Sequence, residues 1–410
     1  MPEIKAFKAC LYSQSLKPQL ADLVSPPYDV ISESQRQELI RRNDLNSVQL
    51  CLIDSQSEQP YEEMANRFKA WKDEGVLEHF PRQAFYLIEE SYQSSGHDFQ
   101  RIGFVGLLRP TAFEKGEVLP HEHTLKGPKK DRLELLRCMK AELSQIFFVY
   151  EEPENSVEKI YQKRRSEEAL FDFKDPLGVH RRGWAIDQEQ DIRAIENMMR
   201  DRQLLIADGH HRYETALNFL EESSGEMGRY IQGYFLNSES SGFQILPIHR
   251  IVDLPQKFDH KRLKSELAKV FELREISKGE ALSFPSQSPG QKIQMLVCLT
   301  KNGPFYKLSR AKDSEDDAEI FSLQRDVFER VFDWSIDKIS DKSVVSYHHE
   351  ATAALEQLQD KPTKIAFLLP ATDLQLIRKL ASQGKRMPQK SSFFSPKLAS
   401  GLIVYDMTAS

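Results

Sequence analysis

The pattern of apolar and polar positions predicts short strands and helices that alternate along the chain. Met64, Phe68 and Trp71 recur at helical spacing, which predicts a helix over 61–75 with one buried face. Ser32 precedes a run with the same spacing and is typical of a helix N-cap. Apolar runs that are typical of buried strands lie at 84–92, 99–108, 145–150 and 203–207.

After residue 230 the same kinds of pattern predict further strands and helices. Strands at 230–236 and 242–246 are expected to pair with each other, and 293–300 is expected to form a hairpin with 305–308. We interpret the acidic run at 313–317 as the solvated start of a helix, where carboxylates suit the helix dipole. The mixed order of elements predicts an α+β fold with a mixed sheet. The expected segments are a main domain over 1–255, a second unit over 256–345 and a C-terminal α/β segment over 346–410 that packs back on the core.

Composition and charge exclude several classes of protein. The chain has 410 residues and a net charge of −6, so it lacks the basic excess of a non-specific nucleic-acid binder. No apolar run reaches the roughly 18 residues that cross a bilayer, and the first residues do not resemble a signal peptide. The four cysteines form no CxxC pair, which argues against a disulfide scaffold or a cysteine zinc site. We therefore expect a cytoplasmic protein that acts on a small molecule, without a nucleic-acid or membrane partner.

One segment concentrates residues that bind anions. An apolar strand runs into Asp208 and Gly209 and then directly into a helix, whose free N–H groups and dipole favour a negative ligand. Gly209 lets the backbone turn sharply and approach that ligand. His210, His211 and Arg212 add cationic donors, and the Arg212 fork can hold phosphate with two hydrogen bonds. The pattern indicates a phosphate or carboxylate site. A zinc site is less favoured, because two zinc ligands on a helix are usually four residues apart and these histidines are adjacent. The structural alternative is an N-cap aspartate followed by solvent-facing histidines.

A second candidate lies in a polar loop, where Glu122 stands between His121 and His123 and is followed by Thr124. Glu122 could act as a general base or help to hold a metal. Loops on a rigid scaffold are where catalytic groups concentrate, although a charged surface loop would look the same.

Two shorter segments complete the set of candidates. Lys390 and Ser391 suit a phosphate, or they form a turn before an edge strand. Tyr28 and Asp29 follow two prolines that fix an extended segment, which either presents them to a ligand or is simply rigid.

In their order along the chain, these segments resemble a bacterial and archaeal family, the domain of unknown function numbered one thousand and fifteen. The resemblance covers nearly the whole chain. Its elements are Ser25-Pro26-Pro27-Tyr28-Asp29-Val30, His121-Glu122-His123-Thr124, Asp131-Arg132-Leu133, Asp208-Gly209-His210-His211-Arg212-Tyr213, Leu246-Pro247-Ile248-His249-Arg250 and Met387-Pro388-Gln389-Lys390-Ser391. Ser392 departs from the family pattern, which has a threonine there, and it keeps the hydroxyl.

The Asp208–Arg212 segment also looks like the phosphate-binding loop of the ParB/sulfiredoxin superfamily. Members of that superfamily bind nucleotide phosphates at a loop that opens a helix, and some are kinases of free L-serine. Those kinases use a carboxylate to activate the serine hydroxyl. The resemblance implies a mixed-sheet α+β core of this type with additional α/β segments. It also implies Mg²⁺, with ATP, ADP or pyrophosphate as the phosphate donor or acceptor.

These observations define a predicted set of site residues. They are Glu122, His121, Asp208 and His211 for catalysis; Gly209, His210, Arg212, Lys390 and Ser391 for phosphate or nucleotide binding; and Tyr28, Asp29, His123 and Thr124 for substrate positioning. The loop has the carboxylate and the helix start has the anion donors, so we expect the two to meet in space. Mg²⁺ would bridge the phosphates through Asp208 or Glu122, and no side chain is assigned as a permanent metal ligand.

The predicted function is phosphoryl transfer on a small metabolite, as a serine kinase or as the reverse dephosphorylation of phosphoserine. Catalysis would rest on positioning and electrostatics. One alternative is a nucleotide-binding switch of ParB-like type, which would need a DNA-binding helix-turn-helix and a basic face that the sequence does not show. The other is a metal-dependent phosphohydrolase that uses His121, Glu122, His210 and His211.

Overall fold

A computed structural model describes residues 1–54, 57–94, 96–124, 126–223, 228–284, 290–340, 344–358 and 363–409. The contacts group the chain into two compact units. The first unit contains Met1–Pro120, Thr124–Phe243 and Pro396–Ser410, and the second contains His121–His123 and Gln244–Ser395. No helix in the described part of the chain is long and apolar enough to cross a membrane.

The first unit combines a mixed sheet with helices. Its strands are β1 (Ile4–Lys5), β2 (Cys10–Tyr12), β3 (Leu77–His79), β4 (Phe85–Ser94), β5 (His97–Leu108), β6 (Val118–Leu119), β7 (Ala141–Glu142), β8 (Ile146–Tyr150), β9 (Phe171–Lys174), β10 (His180–Ile186), β11 (Leu204–Asp208), β12 (Ile231–Asn237) and, near the C-terminus, β21 (Tyr405–Asp406). Its helices are α1 (Leu20–Leu23), α2 (Glu33–Arg42), α3 (Val48–Cys51), α4 (Pro60–Asp73), α5 (Lys126–Met139), α6 (Ser156–Arg164), α7 (Glu189–Arg200) and α8 (His210–Glu222). Short 3-10 turns cover Gln14–Gln19, Tyr28–Val30 and Phe113–Lys115.

The main sheet of this unit has the order β6-β11-β8-β12-β5-β4-β10-β9, and β1 pairs with β5. The β6–β11 and β8–β12 pairs are parallel, and the other neighbours are antiparallel, so the fold is α+β as predicted. All residues of β8 and β12 are buried. Strands that are covered on both faces consist of continuous apolar runs, which is why the sequence pattern identified them.

The local predictions for two helices are confirmed. In α4 the buried residues are Met64, Phe68 and Trp71, which form the predicted face. Ser32 caps α2 by accepting from the backbone N–H of Gln35, whose side chain accepts from the backbone N–H of Ser32 in return.

The second unit has its own sheet and core. Its strands are β13 (Gln244–Leu246), β14 (His249–Asp253), β15 (Glu272–Ile276), β16 (Lys292–Cys298), β17 (Phe305–Ala311), β18 (Val345–His348), β19 (Lys364–Leu368) and β20 (Phe393–Ser395). Its helices are α9 (His260–Leu267), α10 (Lys278–Leu282), α11 (Glu319–Ser322), α12 (Ile336–Ser340), α13 (Ala351–Glu356) and α14 (Leu374–Ser382), with a π-helix at Leu323–Glu329. The sheet order is β15-β17-β16-β19-β14-β18, and β16 and β17 form the predicted hairpin.

The division into units differs from the segments expected at 1–255, 256–345 and 346–410. Strands from all three expected segments share the second sheet, because β19 lies between β14 and β16. The predicted pairing of 230–236 with 242–246 is wrong, since β12 pairs with β5 and β8 whereas β13 pairs with β20. Local turn signals do not reveal partners that are distant in the sequence.

The acidic run at 313–317 is not wholly solvated. Asp317 is 5% exposed and pairs with Arg310 of β17 at 2.8 Å. Asp326 contacts the same guanidinium at 3.0 Å. Asp317 therefore belongs to a buried ion cluster and not to a free helix start, because a buried carboxylate needs a cationic partner.

Candidate functional site

The turn between β11 and α8 has the geometry of an anion site. Gly209 is the N-cap of α8, and its φ of +94° lies in the left-handed region that favours glycine. A Cβ atom at this position would lie 3.0 Å from Nη2 of Arg212. Glycine is thus required both by the turn and by the close approach of the Arg212 guanidinium. The first backbone N–H groups of α8 have no acceptor within the helix.

The Asp208 carboxylate lies between two cations. One oxygen accepts from Nη2 of Arg212 at 3.0 Å, and the other pairs with Nζ of Lys397 at 2.5 Å. Nη1 of Arg212 also donates to the carbonyl of Gln145 at 2.6 Å. The guanidinium is therefore fixed at two points, with 16% of the side chain exposed. Asp208 can therefore position the side chains of Arg212 and Lys397.

A buried ion cluster holds the backbone on either side of the Pro396–Lys397 peptide bond. The side chains of Glu90, Arg101 and Arg181 are at most 2% exposed. Glu90 accepts from Arg101 at 2.6 Å and from Arg181 at 3.1 Å. The two arginines donate in turn to the carbonyls of Pro396 at 2.8 Å and Lys397 at 3.0 Å. Burial alone would raise the pKa of Glu90, but the two guanidinium charges outweigh it and hold that pKa below its usual range.

Beside Arg212 lies a cavity of about 70 Å³, which we call the Arg212 cavity. Its polar lining comes from Tyr28, Arg132, Glu142 and Ser144 as well as Arg212, and its apolar lining comes from α5 and β8. A single water molecule needs about 10–15 Å³ of volume measured in this way, so the cavity has room for a compact group such as a phosphate.

Arg132 is the second guanidinium of this cavity. It lies 4.1 Å from the ring centroid of Tyr28 and donates to the carbonyl of Cys51 at 2.8 Å. Its Nε donates to Asp131 at 2.8 Å. Burial raises the pKa of Tyr28, against the lowering effect of Arg212 and Arg132, so the phenol stays neutral beside the cation.

Glu142 supplies an acid to the same cavity. Burial raises its pKa to about 8, although the N–H of Gln232 and the charge of Arg212 act in the opposite direction. A carboxyl group that is protonated near neutral pH can donate a hydrogen bond to an anion. The cavity therefore presents two fixed cations and a carboxyl group with a raised pKa.

The residues of the His121–His123 loop belong to the second unit. His121 is 1% exposed, and its Nε2 lies 2.7 Å from Oγ of Ser392. Glu122 forms a parallel bridge with Met387, and His123 is exposed. Because Asp208–Arg212 lies in the first unit, the expected meeting of the two segments stays a prediction.

Lys390 and Ser391 also belong to the second unit. Lys390 is exposed with a φ of +56°, and its carbonyl accepts from Arg250 at 2.6 Å. Ser391 is buried, and its hydroxyl donates to the carbonyl of Pro388 at 2.5 Å. The assignment of these two residues to phosphate binding likewise stays a prediction.

The other predicted site residues lie in the first unit. Thr124 donates to Glu214 of α8 at 2.8 Å, which anchors the start of the α5 segment to that helix. His210 is buried, and His211 is half-buried. Asp29 is exposed in the turn after the two prolines.

Within the described ranges, no group of three or more His, Cys, Asp or Glu side chains could hold a metal ion. Mg²⁺ commonly takes one or two carboxylates together with substrate phosphates. Asp208 fits this role poorly, since its two oxygens accept from Arg212 and Lys397.

Sequence reasoning did not assign Arg132, Glu142 and Lys397 to the site. The sequence separation between Asp208 and Lys397 is 189 residues. Glu142 follows a helix in a segment without any motif, so nothing in the sequence marks it. The single local signal was the cluster of basic residues that ends at Arg132, directly after the His121–Thr124 loop.

The sequence matches one family model over most of its length. The chain belongs to the family described as Protein of unknown function (DUF1015), whose model matches residues 4–334. This confirms the family that the sequence motifs indicated. A search of the curated proteins returned no match.

Several solved structures are similar to this chain. A mutant free serine kinase in complex with AMP is 14% identical, with a TM-score of 0.36, over 68% of this chain and 84% of that chain. SbnI with a C-terminal truncation from Staphylococcus aureus is 10% identical, with a TM-score of 0.35, over 72% of this chain and 84% of that chain. A conserved hypothetical protein from Pyrococcus furiosus is 13% identical, with a TM-score of 0.34, over 68% of this chain and 87% of that chain.

Proposed function

We propose that this protein transfers a phosphoryl group to or from a small metabolite, and that the Arg212 cavity binds the phosphate. The observation that carries the proposal is one small cavity lined by two fixed guanidinium groups, Arg132 and Arg212, and by the carboxyl group of Glu142, whose pKa is raised by burial. Guanidinium forks match phosphate oxygens in pairs, and a protonated carboxyl group can donate to a third oxygen. The start of α8 adds a helix dipole of the right sign.

The size and chemistry of the cavity favour a phosphate group over a larger ligand fragment. We propose that the cavity, with a volume of about 70 Å³, receives the terminal phosphate of any nucleotide. The carboxylates of Asp131 and Asp208 hold the arginines in place and do not line the cavity among the residues described. A phosphate bound here would meet donors that are already oriented, which is how phosphoryl transfer is catalysed.

Within this class we propose a serine kinase, or the reverse reaction with phosphoserine. The basis is the resemblance of the Asp208–Arg212 segment to the phosphate-binding loop of the ParB/sulfiredoxin superfamily, some members of which are kinases of free L-serine. Glu122 is proposed as the base that takes the proton of the serine hydroxyl. The hydroxyl oxygen then forms its bond to phosphorus while the bond from phosphorus to the leaving oxygen of the donor breaks. Arg132 and Arg212 stabilise the charge on the phosphoryl oxygens throughout.

Phosphorus NMR tests the reaction directly. The protein is incubated with MgCl₂ and serine plus ATP, ADP or pyrophosphate in turn, and with phosphoserine plus ADP or phosphate. With one of these pairs we expect a phosphoserine signal to appear from serine, or the signal of added phosphoserine to disappear. If no pair gives turnover in the unmodified protein while pyrophosphate still binds, the phosphoryl-transfer assignment is wrong and the switch-module alternative gains support.

Two substitutions separate binding from chemistry. Arg212→Lys keeps the charge but loses the planar fork, and we expect turnover to fall about 10²–10³-fold with the fold intact. Arg137→Lys is the matched control, because Arg137 is on α5 and pairs with Glu222 on the surface. Glu122→Gln should abolish turnover but leave pyrophosphate binding unchanged. Full activity of Glu122→Gln would place the base elsewhere.

A further inference from the structure

The second unit contains a cavity that is separate from the Arg212 cavity proposed to bind the phosphate. Its volume is about 240 Å³, and all of its lining residues belong to this unit. One part of the lining is cationic, with Arg250 and Arg386, and His123 also lines the cavity. Another part is apolar and comes from the segment 320–339. We call it the Arg250 cavity.

Arg250 is the most constrained of these cations. It is 3% exposed, and its two terminal nitrogens donate to the carbonyls of Ile248 at 2.5 Å and Lys390 at 2.6 Å. The ring of Tyr347 lies 5.7 Å from its guanidinium carbon. Among the residues that the structure describes, no carboxylate forms a salt bridge with Arg250. Glu122 acts on it only through space, by raising its pKa.

A buried cation that has only neutral direct partners is costly. Burial lowers the pKa of Arg250 to about 10, so the group is still a cation at neutral pH. Such a group, held rigidly at the wall of a cavity, gains most from an anion that enters that cavity. Arg386 and His123 line the same space and add further donors.

The apolar part of the lining indicates what the remainder of the ligand looks like. Phe328, Ile336 and Ile339 line it, and Ile336 is 65% exposed. A ligand that covers an exposed isoleucine beside a cavity removes apolar surface from water, which favours the complex by about 25 cal/mol per Å² of that surface. The volume is also several times that of the Arg212 cavity, so the ligand is larger than a phosphate.

We propose that the Arg250 cavity binds a small organic acid, with its carboxylate on Arg250 and Arg386 and its apolar body against Phe328 and Ile336. This proposal does not depend on the phosphoryl-transfer reaction. Serine is a poor fit, since it has no apolar body to cover the isoleucine and phenylalanine side chains. The site therefore serves a second substrate or an effector.

Isothermal titration calorimetry with full-length protein tests the proposal. The probes are 3-phenylpropionate, 4-methylpentanoate and indole-3-acetate, with 3-phenylpropanamide as the neutral control and acetate as the control without an apolar body. Inorganic phosphate serves as the control for an anion of another class. We expect at least one of the three acids to bind with a Kd below about 1 mM, and all three controls to bind at least tenfold more weakly. If none of the three acids binds, or if the amide binds as tightly as its acid, the proposal is overturned.

Variants locate the binding site. Arg386→Met should weaken binding of the acid roughly 10- to 100-fold, and Arg250→Met at least as much. Ile336→Ser should weaken binding of the acid while leaving acetate unaffected. Arg274→Met is the matched control in the same unit, because that arginine is on β15 with 66% of its side chain exposed. If Arg250→Met fails to fold, the other two variants decide, and unchanged affinity in both would refute the site.

Discussion

Gly209→Ala tests how the turn before α8 builds the phosphate site. The substitution adds one Cβ atom, which would lie 3.0–3.2 Å from three atoms of the Arg212 guanidinium. It also places a non-glycine residue at a φ of +94°. The backbone is therefore strained and the guanidinium displaced by a single methyl group, while every charge in the site is retained.

The two effects have separate magnitudes. A non-glycine residue in this backbone region costs about 1–3 kcal/mol of folding free energy. Displacing Arg212 loses one charge-assisted contact to a bound anion, which corresponds to a roughly 10- to 100-fold weaker Kd. Two hydrogen bonds hold the guanidinium, whereas β11 and α8 hold the backbone, so we expect the guanidinium to shift and the backbone to stay. We therefore expect a modest loss of stability and a large loss of affinity.

Gly116→Ala is the matched control. Gly116 is in the same unit with a φ of +69°, and an added Cβ would meet nothing within 4 Å. Urea denaturation of both variants measures the strain, and calorimetric titration with pyrophosphate measures the site. We expect both variants to lose stability but only Gly209→Ala to lose affinity. Equal pyrophosphate affinity in Gly209→Ala and the unmodified protein would show that Arg212 does not contact the anion.

Three further predictions follow from the first unit. Lys397→Met removes one of the two cations that contact Asp208. We expect calorimetry to show that pyrophosphate binds about tenfold more weakly, with little change in Tm. Unchanged affinity would show that Lys397 does not contribute to the site. Arg101→Met leaves Glu90 with a single buried cationic partner, and urea denaturation should show that the free energy of unfolding falls by about 3–5 kcal/mol. A fall of less than about 1 kcal/mol would contradict this prediction. Because the pKa of Glu142 is raised from 4.5 to about 8 in the folded state, its contribution to stability is fully present below pH 4.5 and is lost as the pH rises through 8. Glu142→Gln should therefore flatten the fall of stability across that window, and an identical pH profile in the variant would mean that Glu142 is ionised in the folded protein.

The sequence determined the features that depend on neighbours along the chain. The apolar spacing of Met64, Phe68 and Trp71 predicted the buried face of α4. The apolar run into Asp208 and Gly209 predicted the turn before α8, because a helix start after glycine is a local property. The family was also evident from motif order, since each motif is a short contiguous string.

The tertiary structure alone decided which distant residues share a site. Lys397 reaches Asp208 because a buried cluster of Glu90, Arg101 and Arg181 holds the backbone around it, and no spacing in the sequence encodes that contact. The raised pKa of Glu142 likewise depends on the packing around it.

The same reason explains where the strand predictions failed. Sheet neighbours such as β14 and β19 are brought together by closing long loops, and their pairing is stabilised by the whole hydrophobic core. Helical faces, caps and turns are stabilised within a few residues, so the sequence specifies them directly. Pairing across the sheet and charge burial depend on the complete fold, which is why only the structure assigned them.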